Sequence, residues 1–308
     1  MGIANIPATE NIVETIMTRS RFTFVSHGVD LVGDLYTPTS LPKGLVVTTG
    51  PLTSVKEQAA GVYARALAEL GYIALAFDHR TFGESGGLPR QFENPYAKAE
   101  DIQAAITALQ QRDGLVDLKV FGVGICAGGG YMAQAVAKDT RFSGFAGVAG
   151  VYSDREQTRT WMGDGYATAK ARAQAALDRF NATGEVETIP AVAADLGDVA
   201  MPLREAYDYY GTPRGQVPNY VNGFAVQSRL YTLDFDVQTL APDITAPTLV
   251  VHSLNALAPA LAEAFFARLP GPKAELWLTS QGQIDFYDDP HLIGPATEAI
   301  DQFFSNLG

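Results

Sequence analysis

The twelve-residue run Lys119–Gly130, KVFGVGICAGGG, constrains this chain more than any other stretch. Its first half is nearly continuous in apolar and small residues, which suits a strand buried on both faces. Its second half opens a segment of helical spacing, Ala127–Lys138. Between the two stands Gly124-Ile125-Cys126-Ala127-Gly128, with a glycine two positions to either side of a nucleophile. A reactive side chain on a sharp strand-to-helix turn needs small residues at those places, because the backbones approach closely there. The spacing predicts that Cys126 tops such a turn and that the helix end favours its thiolate. The N–H of Ala127 then becomes one donor to an oxyanion. A second donor is expected from the loop after the strand Gly44–Thr49, where Pro51 has no N–H and Leu52 is the candidate.

The rest of the chain repeats the same alternation. After a polar lead-in over residues 1–20, Arg21–Ser26 and Asp30–Tyr36 flank His27-Gly28-Val29 and read as a hairpin. Strands are predicted at Gly44–Thr49, Tyr72–Phe77, Lys119–Ile125, Phe145–Val151, Pro247–His252 and Ala274–Leu278. Helices are predicted at Val55–Leu70, Ala97–Arg112, Ala127–Lys138, Pro259–Leu269 and Ile293–Asn306. Short apolar strands alternating with helices give an α/β fold, a mostly parallel sheet covered on both faces. Residues 152–244 break the pattern with helical segments (Asp164–Phe180, Met201–Tyr210) and the stretch GTPRGQVPNYVNGF. An insertion between two core strands lies over the sheet edge where ligands bind. It is therefore expected to be a helical lid on a core formed by residues 1–151 and 245–308.

Composition removes several function classes. A net charge of −12 with no run of Lys or Arg repels a phosphate backbone, so no nucleic-acid partner is expected. One cysteine allows no intrachain disulfide. Met1–Glu10 lacks the basic-then-apolar order of a secretory signal, and no stretch reaches the roughly 18 apolar residues of a membrane span. A cytoplasmic protein without a membrane partner is expected.

Two segments carry a family resemblance. KEQAAGVYARALAELGYIALAFDHRTFGESGGLPRQFENP (Lys56–Pro95) and GICAGGGY (Gly124–Tyr131) resemble the dienelactone-hydrolase-like or polyketide-transferase-like branch of the α/β-hydrolase superfamily. The similarity runs from Gly33–Pro38 to Asp285–Asp288. It implies an α/β-hydrolase fold, acyl transfer or hydrolysis at an ester, thioester or lactone, a small-molecule substrate, and neither cofactor nor metal. It also implies a histidine one residue before the element DFYD, and an acid near residue 254. Here those positions hold Gln283 and Leu254. Gln283 cannot take a proton at pH 7, and Leu254 cannot orient an imidazole.

Four histidines are available as substitutes. His27 lies in the hairpin, His252 ends a strand, and His291 begins the last helix. His79 leaves a central strand near the turn and is the one carried forward as a catalytic candidate. Asp154, after the strand Phe145–Val151, is an alternative acid position. Four readings stay open: acyl chemistry through Cys126, a non-hydrolytic lyase, isomerase or cyclase step on an oxyanion hole, binding of a small molecule without catalysis, and an engineered variant whose triad was deliberately altered. Tyr209, Tyr210, Asn219 and Tyr220 are expected to contact the substrate, and the acidic surface and lid are compatible with a homodimer.

Overall fold

In the computed structural model, which describes residues 17–307, the N-terminal runs pair as an antiparallel hairpin. Its strands are β1 (Met17–Ser26) and β2 (Val29–Pro38). The expected lead-in therefore lies outside the described residues up to residue 16, and its last residues belong to β1. The alternation follows as β3 (Leu45–Thr49), α1 (Ala59–Glu69), β4 (Ile73–Asp78), α2 (Pro95–Gln110), β5 (Val120–Ile125), α3 (Ala127–Val136) and β6 (Phe142–Val148). The insertion carries α4 (Arg155–Met162), α5 (Asp164–Thr183), β7 (Thr188–Ile189), α6 (Arg204–Tyr210), β8 (Phe224–Ala225) and α7 (Arg229–Thr232). The core resumes with β9 (Thr248–His252), α8 (Pro259–Arg268), β10 (Lys273–Trp277), α9 (Asp285–Asp288) and α10 (Pro290–Ser305).

Eight strands form one sheet in the order β1-β2-β4-β3-β5-β6-β9-β10. From β4 onward every pairing is parallel, and the hairpin joins antiparallel through β2. Successive side chains point to opposite faces, so each strand feeds two apolar layers. Val46, Val123, Ile125, Val148 and Val251 pack on one side, and Leu45, Val47, Leu75, Phe145 and Val250 on the other. Both layers are closed by helices, which is why the strands read as continuous apolar runs.

Two boundaries differ from expectation for physical reasons. The first helix begins at Ala59 rather than Val55, because Lys56 is drawn into the core. Its N–H and its ammonium both donate to the Asp78 carboxylate (2.7 and 2.9 Å), and the ammonium also meets Glu84 at 2.6 Å. The strand expected at Phe145–Val151 spans Phe142–Val148, since Ala149 turns the chain out of the sheet at φ 42°. Among the described residues, no helix is long and apolar enough to cross a membrane.

Candidate active site

The strand β5 ends at Ile125 and α3 starts at Ala127, leaving Cys126 alone at the turn with φ 57° and ψ −124°. Such a backbone costs on the order of 1–3 kcal/mol and persists only where its surroundings fix it. Here the Cys126 N–H donates to the Val148 carbonyl at 3.1 Å, and the Cys126 carbonyl accepts from Gly129 and Val151 at 2.9 and 2.8 Å. The two glycines of the motif are explained by contact. A Cβ at Gly124 would strike the carbonyl of Gly128, and one at Gly128 would strike the carbonyls of Thr49 and Gly50. That close approach brings the loop after β3, with Leu52, against the turn.

Four donors surround the Cys126 sulfur closely enough to favour its thiolate: the Tyr287 hydroxyl, the Ala127 N–H, the Gln283 amide and the Leu52 N–H. Burial outweighs them and pushes the thiol above its ordinary value. The expected activation by the helix end is corrected accordingly. The donors are in place, but Cys126 is only 7% exposed, and removing a thiolate from water costs more than they return.

Gln283 is buried and held at both ends. Its oxygen accepts the Leu257 N–H at 2.9 Å, and its nitrogen donates to the Ala149 carbonyl at 2.8 Å. The backbone of Leu257 thus orients Gln283. The side chain of Leu254 is 70% exposed and touches nothing of this kind, so its assignment to the acid position is corrected to a surface loop residue.

The histidines are engaged elsewhere. His79 is buried, shares a 2.8 Å hydrogen bond with the Thr49 hydroxyl, and faces Asp101 at 3.4 Å. Burial lowers its basicity in spite of Asp101. His79 steadies the end of β3 rather than acting on Cys126, which corrects its catalytic candidacy. His252 is held by the carbonyls of Ser253 and Gly150, His27 lies near Glu100 on the surface, and His291 is exposed at the start of α10. Asp154 caps α4 by accepting the Gln157 N–H.

A cavity of about 470 Å³ opens over Cys126. Its lining is mostly apolar and comes from both the core and the insertion, including Leu52, Val151, Trp161, Met201, Leu203 and Phe235. Of the four residues expected to touch substrate, Tyr210 lines it. The other three stand behind. Tyr220 stacks on Tyr210 at 5.2 Å, Tyr209 packs edge-on against Tyr210 and Tyr287, and Asn219 donates to Glu57. Among the described residues, no group of three or more His, Cys, Asp or Glu is placed to hold a metal ion.

Three features were missed in the sequence. Tyr287 sits within the DFYD element and could have been found there, since one helical turn, α9, follows directly on Gln283. Glu93 is fully buried and accepts from Lys98 (2.5 Å), the Tyr131 hydroxyl (2.7 Å) and the Thr53 N–H (3.1 Å), bracing the residue after Leu52. Glu205, on α6, lines the cavity beside Gln283. No local pattern marks either carboxylate: Glu93 meets Thr53 and Tyr131 from far along the chain as well as Lys98 nearby, and Glu205 meets the loop at Ile284.

Residues 44–195 match the family described as serine aminopeptidase, S33. The chain is 30% identical over 267 residues to the protein YcjY of Escherichia coli (strain K12), covering 84% of this chain and 87% of that one. It is 31% identical over 280 residues to the protein PA2218 of Pseudomonas aeruginosa, covering 85% of this chain and 74% of that one. The crystal structure of PA2218 superposes with a TM-score of 0.82 at 26% identity, covering 99% of this chain and 100% of that one. Over a shorter stretch of 115 residues the chain is 34% identical to thiohydrolase aneE of Aspergillus aculeatus, 37% of this chain and 36% of that one. With its sheet order, its cysteine turn and these relatives, the chain belongs to the α/β-hydrolase family and is an enzyme of the hydrolase or acyltransferase type.

Proposed function

We propose that Cys126 accepts an acyl group from a small activated donor, a thioester, ester or lactone, and passes it to an acceptor rather than to water. The sulfur attacks the carbonyl carbon, and the oxyanion formed is held by the N–H groups of Leu52 and Ala127. Collapse breaks the bond to the leaving group, which departs with the proton the thiol gave up. An acyl-Cys126 thioester remains. A thioester donor suits this step best, since one thiol replaces another at little change in energy. The thiohydrolase name of the aneE relative is consistent with that donor class.

The observation that carries the reading is the company of the sulfur: four hydrogen-bond donors and, among them, no group able to take a proton at neutral pH. A thiol can be acylated with little help, so the first step needs no base at the sulfur. The cavity lining is mostly apolar, so an acceptor with an apolar body is held beside the thioester in preference to water, and acyl transfer is favoured over hydrolysis. Residues 152–244 act as a lid in this reading, since they supply Trp161, Met201, Leu203 and Phe235 to the cavity and exclude water from it.

The test is the partition of a hexanoyl thioester between water and added 1-hexanol. Hexyl ester in excess over free acid, with neither formed by Cys126→Ala, supports the proposal. Free acid alone, at a rate unchanged by hexanol, contradicts it.

A further inference from the structure

The geometry points to Glu205 as the catalytic base for the second half-reaction, the group that takes the proton from an alcohol acceptor as that alcohol attacks acyl-Cys126. The inference rests on the acyl-transfer reading above and names the acceptor class for the same site.

Four observations support it. First, Glu205, on α6, lines the cavity that Cys126, Gln283 and Tyr287 also line. Among the described residues it is the one lining side chain with a carboxylate, and no histidine or lysine lines the cavity. Secondly, no arginine, lysine or histidine forms an ion pair with it among the described residues. Its one hydrogen bond is a long one, accepted from the Ile284 N–H at 3.4 Å. Thirdly, the carboxylate lies against the loop that carries Gln283, with its Oε2 close enough to Gly282 that a Cβ there would meet it. Fourthly, the hydroxyls of Tyr131, Tyr210 and Tyr287, the other ionisable groups nearby, are pushed by burial well above their ordinary values and stay protonated donors.

Glu205 is not among the groups around the sulfur and is assigned no part in acylation. It lines the same cavity, at the loop that carries Gln283. The acceptor class follows from the walls: a hydroxyl on an apolar body, whose chain packs on Met201, Leu203 and Phe235. The step balances without a co-reactant. The alcohol oxygen bonds to the thioester carbon as its proton moves to the Glu205 carboxylate. The C–S bond then breaks, the ester leaves, and the thiolate held by its four donors takes a proton from solvent as Glu205 gives its own up to solvent. Net change is one thioester and one alcohol converted into one ester and one thiol.

The experiment follows wild type and Glu205→Gln by intact mass after mixing with a hexanoyl thioester, first alone and then with 1-hexanol. Glutamine keeps an oxygen for the Ile284 N–H. The expected result is release to hexanol slowed by roughly 10²-fold or more relative to acylation, so that the variant accumulates as acyl-enzyme. Release at the wild-type rate overturns the assignment. Should that variant fail to acylate, Glu205→Asp, which keeps the carboxylate but withdraws it by one methylene, takes its place, and release at the wild-type rate there overturns the assignment. A wild type that never acquires the acyl mass overturns the underlying acyl-transfer reading, and the role of Glu205 with it.

Discussion

The side-chain oxygen of Gln283 accepts the backbone N–H of Leu257 at 2.9 Å, and this fixes the amide with its nitrogen toward Ala149 and the Cys126 sulfur. The residue is a locked donor, placed where related chains are expected to carry a base. Gln283→His should therefore restore proton transfer next to the sulfur and raise thioester hydrolysis by roughly 10²-fold or more. Free-acid release measured beside wild type checks this, and an unchanged or lower rate counts against the assignment of position 283.

The thiol itself offers a pH test. Burial raises Cys126 above the ordinary thiol value of 9.0, so the neutral form dominates at pH 7 and the thiolate appears only as the pH climbs past that value. Iodoacetamide should label Cys126 slowly near neutrality, with a rate still rising above pH 9.0. A plateau reached by pH 7 would mean that the four donors outweigh burial.

Much of this was legible beforehand. The strand order follows from apolar runs that alternate with helices, and the turn at Cys126 follows from glycines whose Cβ positions are occupied by other backbone atoms. The cavity was not legible. Tyr209 and Tyr220 look as suited to a ligand as Tyr210 does, and only the packing of three rings decides which one meets the cavity. Leu254 stands near the acid position that the family resemblance implies, while the contact that orients Gln283 comes from a backbone N–H, to which side-chain identity gives no clue. Glu93 and Glu205 were invisible for the same reason, since their partners lie on other elements.

Glu93 carries the largest expected effect on stability. It is fully buried against Lys98, whose ammonium also sits over the rings of Phe82 and Tyr131 at 4.5 and 5.0 Å. Glu93→Ala leaves that ammonium uncompensated in the core and should cost about 3–5 kcal/mol in urea unfolding. The double change Glu93→Met with Lys98→Met removes both charges and should recover most of the loss. A double variant no more stable than Glu93→Ala would show that the carboxylate matters mainly through Thr53 and Tyr131, to which it is also bonded.

The most direct test is the mass of the intact protein after brief exposure to a hexanoyl thioester. The account predicts one added acyl group per chain, located by peptide mapping on Cys126 and absent from Cys126→Ala, which should also lose turnover. No adduct in wild type, together with turnover unchanged in Cys126→Ala, would contradict it.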